Sequence, residues 1–273
     1  MTSKLSLIGG GVMGEALLSR LIARKLYHPD TVLISEPQVT RREFLAEKYG
    51  VKVTSDNRAA AAASEVLLLA IKPQVLEIVA AELAQVGESN VERGNLPVVV
   101  SILAGVPLEK LEAAFKHQPV IRAMPNTPAT VGAGITAIAP GKTAQPNHME
   151  LAKKIFGAVG EVVEVPEHLM DAVTGLSGSG PAYVAVMIEA LADGGVAAGL
   201  PRAIASKLAL GTVLGTAQLL QQSELHPAQL KDRVTSPGGT TIAGVAHLEK
   251  AAFRSALIEA VQAAYRRSQE LGN

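Results

Sequence analysis

The row Leu7-Ile8-Gly9-Gly10-Gly11-Val12-Met13-Gly14 follows the apolar run Leu5 to Ile8 and opens an amphipathic stretch carrying Leu17, Leu18, Leu21 and Ile22. A strand, a glycine turn and a helix in that order restrict the chain more than any other feature. Gly9, Gly11 and Gly14 have the spacing G-x-G-x-x-G, and each answers a different steric demand. The first makes the tight turn, the second lets a pyrophosphate approach the backbone, and the third lets the helix pack on the strand. The helix aims its N–H groups and the positive end of its dipole at the same point. The expectation is a dinucleotide site along Gly9, Gly10, Gly11, Val12, Met13 and Gly14. A glycine-rich turn that binds nothing is the alternative.

From Lys4 to about Val165 short β-branched runs alternate with amphipathic stretches, the pattern of a parallel sheet with helices on both faces. Strands are expected at 5–8, 32–35, 51–54, 66–70, 98–101 and 120–123, with two more at 135–139 and 161–165 that extend the sheet in a mixed sense. Beyond Val165 strand signals stop, and Ala-, Leu- and Gly-rich helical text runs to the C-terminus. The expected architecture is therefore an α/β Rossmann domain with a parallel-dominated, doubly wound sheet (residues 1–165), followed by an all-α domain (166–273). Pro181, Pro201 and Pro227 mark first helical positions, where a missing N–H does no harm. The stretch 182–188 is apolar at every position, so its helix must be surrounded, and the small domain implies that a second subunit does the surrounding.

Composition removes whole classes of function. With 25 Lys+Arg against 25 Asp+Glu there is no net field to draw in nucleic acid or an anionic membrane. Cysteine is absent, which removes disulfides, thiolate nucleophiles and Cys-based zinc sites. Glu189 and Asp193 interrupt the most hydrophobic stretch, so no apolar run is expected to span a membrane. The first residues lead straight into a strand without a signal-like segment, and a cytoplasmic chain is expected.

Glu36 stands 22 residues after Gly14, at the end of the second strand. An acid there would hold a ribose 2′-OH and repel a 2′-phosphate, which favours NADH. Ser35, Pro37, Arg41 and Arg42 pull the other way, and the choice between NADPH and NADH stays open. In the second half, His226 and His247 read as packed or solvated histidines. The notable element is Ser236-Pro237-Gly238-Gly239-Thr240-Thr241, a turn opening a helix that runs to about Lys250. Its N–H groups suit a carboxylate, and a plain threonine cap is the equal alternative.

Taken together, the glycine loop, Ala70-Ile71-Lys72-Pro73, Met124-Pro125-Asn126-Thr127-Pro128, the Gly175 to Tyr183 stretch, Ala190 to Gly195 and Leu230 to Ile242 resemble pyrroline-5-carboxylate reductase over nearly the whole chain. The resemblance implies reduction of the cyclic imine 1-pyrroline-5-carboxylate to L-proline, the last step of proline biosynthesis, by hydride from NADPH or NADH. It places Ser35 near the adenosine 2′-position, Asn57 on the ribose, Ala70, Ile71, Lys72 and Pro73 along the cofactor, and Ile102, Leu103 and Ala104 by the nicotinamide. It makes Thr241 the catalytic residue, bonded to the ring nitrogen, with Gly239, Thr240 and Thr241 N–H groups on the substrate carboxylate. Val234, Glu167 and Glu224 would line the substrate, although the two acids read equally as solvated surface groups. Arg233 departs from the pattern, since some members carry Asn there. The resemblance further implies an intertwined homodimer whose active site joins the Rossmann half of one chain to helices of its partner, and a ring of five dimers, a decamer, as the higher assembly. No metal, nucleic acid or membrane enters this reading.

Two rivals frame it. A 6-phosphogluconate-type dehydrogenase shares the two-part layout but needs a lysine acid/base, and the stretch 182–198 has none. A non-catalytic nicotinamide- or pyrroline-binding protein would bind without turnover.

Overall fold

A computed structural model describes residues 3–62, 65–92 and 96–272. Among these, eight strands form one sheet: β1 (Leu5–Ile8), β2 (Val32–Ser35), β3 (Lys52–Thr54), β4 (Val66–Leu69), β5 (Val98–Ser101), β6 (Val120–Met124), β7 (Gly134–Pro140) and β8 (Gly160–Glu164). Their order is β3-β2-β1-β4-β5-β6-β7-β8. Every neighbouring pair is parallel except β6 and β7, the mixed sense expected for the last two strands. The helices of this part are α1 (Val12–Ala23), α2 (Val39–Tyr49), α3 (Asn57–Ala62), α4 (Leu76–Glu92), α5 (Leu108–Ala114), α6 (Pro146–Gly157) and α7 (Met170–Val173).

The strands are apolar without alternation because both faces are covered. Leu5, Leu7, Leu68, Val100 and Ile121 pack on one side with Leu17, Leu18 and Leu21 of α1 and Met149, Ile155 and Phe156 of α6. Ile8, Leu67, Leu69, Val99 and Val120 pack on the other with Leu76, Val79 and Leu83 of α4, Leu108 and Leu111 of α5, and Met170. Each such fully buried side chain stabilises the fold by about 1.5–3 kcal/mol. Local signals set the helix ends. α2 stops at Gly50, whose φ of 67° suits glycine at a left-handed C-terminal position. α6 starts at Pro146 behind a reciprocal Gln145 and His148 cap.

The chain divides into two compact units, Met1–Gly178 with Ala264–Asn273, and Ser179–Ala263. The first therefore takes in residues 166–178 and the end of the last helix in addition to 1–165. Two contacts explain the return of the tail: Ser268 Oγ donates to Asp171 Oδ1 at 2.7 Å, and Gly105, at φ 74°, lies where a Cβ would stand 3.4 Å from Leu271 Cβ.

The helices beyond α7 are α8 (Gly180–Ala197), α9 (Arg202–Ser223), α10 (Pro227–Arg233), α11 (Thr240–Lys250) and α12 (Phe253–Gly272). Pro227 is the first residue of α10 as expected, whereas Pro181 is the second residue of α8, and Pro201 is the N-cap of α9 with the helix starting one residue later. The core of the second unit is three alanines, Ala192, Ala205 and Ala209. A Cβ on Gly195 would lie 3.1 Å from that of Ala205, so the small residues let α8 and α9 approach closely. α9 also corrects the expectation about membrane-length segments. By length and composition alone it is apolar enough to cross a bilayer, with a mean hydropathy of 1.4 over an 18-residue stretch. No unbroken apolar run marks it in the sequence, because its alanine, glycine and leucine residues are interspersed with polar ones.

Candidate active site

The strand order reverses between β1 and β4, where the chain leaves one half of the sheet for the other. Open α/β sheets bind ligands in the crevice beyond the carboxyl ends of strands at such a point. One row of backbone hydrogen bonds crosses that edge: Ile102 N to Leu69 O at 3.1 Å, Ala70 N to Ile8 O at 2.8 Å, Gly9 N to Ser35 O at 2.8 Å and Glu36 N to Thr54 O at 3.0 Å. Four of the expected cofactor segments, at residues 9, 36, 70 and 102, are thus brought side by side.

The three glycines meet their separate demands. Gly9 has φ 103°, and a Cβ there would stand 2.5 Å from Ala70 O. A Cβ on Gly14 would stand 2.5 Å from Gly9 O, so the helix sits tightly on the turn. Nothing lies within 4 Å of the place where a Cβ on Gly11 would be. α1 begins behind Gly11 with no side-chain cap, and its first intrahelical bond is from Glu15 N. The N–H groups of Val12, Met13 and Gly14 therefore have no acceptor among the described residues. Beside the helix start lies a groove of about 470 Å³ lined by Gly11, Val12, Glu15, Arg41 and Thr130, among others. Three unmet donors and an open glycine face fit a pyrophosphate.

Around the end of β2 the side chains are closely engaged. Ser35 is buried and donates to Asn57 Oδ1 at 2.7 Å, while Asn57 Nδ2 donates to Glu82 Oε2 at 2.7 Å. Glu36 is buried too, and its carboxylate accepts from Gly10 N at 2.9 Å and Gln38 N at 3.0 Å. Arg42 Nη1 donates to the carbonyl oxygens of Glu36 and Pro37 at 2.7 and 2.8 Å. Arg41 Nε donates to Gly10 O at 2.7 Å and its Nη2 pairs with Glu15. Partial burial pushes the Glu15 carboxyl up, but hydrogen bonds from Tyr49, Arg41 and Lys48 outweigh it and bring it down to about 2. Arg41 is bonded to the glycine loop, whereas its sequence position marked it only as a nearby cation. The usable signal was its place in the first turn of the helix after the second strand, facing the glycine loop.

The remaining residues expected along the cofactor differ in what they expose. Ile71 packs against the core, Lys72 is exposed, and Pro73 opens a short 3₁₀ turn. Ile102 is half-buried and Ala104 exposed, but Leu103 is buried in the core and presents no side chain to a ligand. Glu167 is not a solvated acid. Its Oε1 accepts from Leu108 N at 2.9 Å and from Arg122 Nη1 at 2.8 Å, and the Arg122 side chain is 5% exposed. Glu167 thus meets an N–H of the first turn of α5 and the charge of Arg122. Neither Arg122 nor Asp171, 3.8 Å from its Nη2, was found from sequence, where a mid-strand arginine carries no motif.

In the second unit, Gly238 has φ 67° and a Cβ on Gly239 would overlap Ser236 Oγ, which explains both glycines of the turn. Gly239 is the N-cap of α11 without a side-chain cap, so the alternative of a threonine cap is excluded. The expectation for Gly239 needs one correction: its N–H donates to Ser236 O at 3.1 Å. The N–H groups without an acceptor among the described residues are those of Thr240, Thr241 and Ile242, since the first intrahelical bond is from Ala243. Thr241 is half-buried and Val234 exposed. Glu224 is exposed at φ 54°, closing α9, and Arg233 is exposed in the last turn of α10. His226 caps α10, accepting from Ala228 N at 3.2 Å.

Comparison with known proteins supports one family for both units. A family model described as pyrroline-5-carboxylate reductase dimerisation matches residues 167–271, and one described as NADP oxidoreductase, coenzyme F420-dependent, matches residues 4–105. The chain is 65% identical over 272 residues to a pyrroline-5-carboxylate reductase of Synechocystis sp., covering 100% of this chain and 99% of that one. It is 42% identical to one from Arabidopsis thaliana, covering 98% and 95%. Among solved structures, a pyrroline-5-carboxylate reductase from Coxiella burnetii superposes with TM-score 0.91 at 36% identity over 100% of both chains. A Plasmodium falciparum pyrroline carboxylate reductase with NADP bound gives 0.87 at 30% identity over 99% and 98%. With its glycine loop, its Ser236 to Thr241 turn and full-length identity of this size, the chain belongs to the pyrroline-5-carboxylate reductase family.

Proposed function

We propose that this chain reduces 1-pyrroline-5-carboxylate to L-proline in proline biosynthesis in the cytoplasm, using NADPH as the hydride donor and NADH as the lesser alternative. The observation that carries the reading is a pair of uncapped helix N-termini behind glycine turns, α1 after Gly11 and α11 after Gly239, in a chain 65% identical to a curated reductase. One end suits a pyrophosphate and the other a carboxylate.

Bound NADPH supplies the hydride that adds to the imine carbon. The chain's own task is to hold the ring and manage the nitrogen. The N–H groups of Thr240 and Thr241 hold the substrate carboxylate, and that of Gly239 shapes the turn. The Thr241 hydroxyl hydrogen-bonds the ring nitrogen. A threonine hydroxyl titrates far above neutral pH, so it polarises and positions while water delivers the proton. Glu224 favours the protonated imine by charge attraction, and Val234 supplies an apolar wall. On the cofactor side, the N–H groups of Val12, Met13 and Gly14 take the pyrophosphate, and Ile102 and Ala104 border the nicotinamide. Ser35 and Asn57 shape the adenosine pocket, with Lys72 and Pro73 at its rim. Glu167 serves this site indirectly, by fixing the start of α5 through Leu108 and Arg122.

Cofactor binding belongs to residues 1–165, and substrate binding and dimerisation to 166–273. The active form is a homodimer in which each site combines the Rossmann half of one chain with helices of the other, and five dimers form a ring. Exposed apolar residues on α8 and α9, such as Val186, Leu210 and Leu214, support a second chain covering them.

Initial rates with each cofactor test the reading. NADPH oxidation that depends on added 1-pyrroline-5-carboxylate and yields one L-proline per NADPH is expected, with NADH slower. Cofactor binding without oxidation would instead mark a sensor.

A further inference from the structure

Gly10, the middle residue of the glycine loop, is held by side chains on both of its backbone groups. Its N–H donates to Glu36 Oε2 at 2.9 Å, and its carbonyl accepts from Arg41 Nε at 2.7 Å. The other Glu36 oxygen accepts from Gln38 N at 3.0 Å, and Glu36 is only 8% exposed. A Cβ on Gly10 would stand 2.6 Å from Leu45 Cδ1, so the loop is also packed from below. Arg41 is steadied in turn by Glu15, which accepts from Lys48 Nζ at 3.0 Å and Tyr49 Oη at 2.7 Å.

An acid at the end of the second strand discriminates between cofactors only if its lone pairs face the ribose. Here both carboxylate oxygens already take backbone N–H groups. The Arg42 guanidinium holds the same residue by its main chain, donating to the Glu36 carbonyl oxygen at 2.7 Å. We propose that Glu36 and Arg41 are positioning residues that clamp the Gly10 peptide from opposite sides and so preset the loop for the pyrophosphate, and that Glu36 does not select NADH through the ribose. The position that reads in sequence as a mark of NADH thereby becomes neutral between the two cofactors. The idea rests on the glycine loop being the nicotinamide-cofactor site.

The test is equilibrium titration of unliganded wild type, Glu36→Gln, Arg41→Ala and the double variant with NADPH and with NADH. Loss of one charge-assisted hydrogen bond should raise both dissociation constants about tenfold in each single variant. The NADPH to NADH ratio should stay within about twofold of wild type, and the double variant should fall short of the product of the singles because both act on one peptide. A Glu36→Gln ratio moved about fivefold or more towards NADPH, or dissociation constants unchanged in both variants, would overturn the proposal. Hydrogen–deuterium exchange of the unliganded proteins separates local from global loosening. Faster exchange at residues 9–14 with residues 202–223 unchanged is expected, and unchanged exchange at 9–14 contradicts the clamp. Should wild type bind neither cofactor, the functional reading falls, and the exchange result alone decides the clamp.

Discussion

The two units of this chain bury their apolar side chains to very different degrees. In the α/β unit Leu5, Leu7, Leu17, Leu68 and Phe156 are fully buried, and both faces of the sheet are covered by helices of the same chain. In the helical unit the core is Ala192, Ala205 and Ala209, while Val186 is 65% exposed, Leu210 55% and Leu214 56%. At about 25 cal/mol per Å² of apolar surface buried, three alanines contribute little, and such a unit depends on surface supplied from outside itself. The glycine loop lies in the first unit, and the Ser236 to Thr241 turn lies in the second, whose own core is small.

The largest expected effect comes from the uncovered side. Leu210→Asp combined with Leu214→Asp should convert a dimer to monomer in sedimentation and lower turnover by more than about 100-fold, because two charges would be buried without partners. A dimer retained at full activity would show that this face is not the interface. In a lone chain both positions are exposed, so the substitutions should not disturb the α/β unit.

Next come the two glycine turns. Thr241→Ala should lower kcat on the order of 100-fold with the NADPH dissociation constant nearly kept. Gly11→Val should do the converse, weakening NADPH by about 100-fold or more in titration while the melting temperature holds, since the added side chain enters open space. Gly9→Ala is the contrast: its methyl would meet Ala70 O at 2.5 Å, and the melting temperature should fall as well.

The smallest effect is electrostatic and confined to the α/β unit. Glu15 is depressed from 4.5 to about 2, so its stabilising contribution is present above pH 4.5 and is lost as pH falls towards 2. Acid unfolding of Glu15→Gln should lack that component, at most about 3 kcal/mol. An unaltered acid limb would remove Glu15 from the network that steadies Arg41.

How much could be read in advance follows the same contrast. Leu5 to Ile8, Gly9, Gly11 and Gly14 were legible because their demands are local: a period, a turn, a steric clearance. Glu36 has the residue type and position of a ribose acid, and nothing in the sequence signals that its carboxylate oxygens take the N–H groups of Gly10 and Gln38. Glu167 read as a substrate-lining or solvated acid because nothing nearby in sequence announces Arg122, 45 positions earlier. Gly239 was named as a donor, but the turn that its sequence dictates takes up its N–H. The tail at Ser268 escaped notice since a helix gives no sign of which unit it will rejoin.

The claim that two chains complete one site is tested most directly by mixing two defective variants. Gly11→Val keeps an intact Thr241 turn, and Thr241→Ala keeps an intact cofactor loop. The co-expressed preparation should regain substrate-dependent NADPH oxidation, up to about a quarter of the wild-type rate, because one of the two sites in each mixed dimer is intact and about half the dimers are mixed. Mixed dimers no more active than either parent would place both turns of a site in one chain and contradict the account.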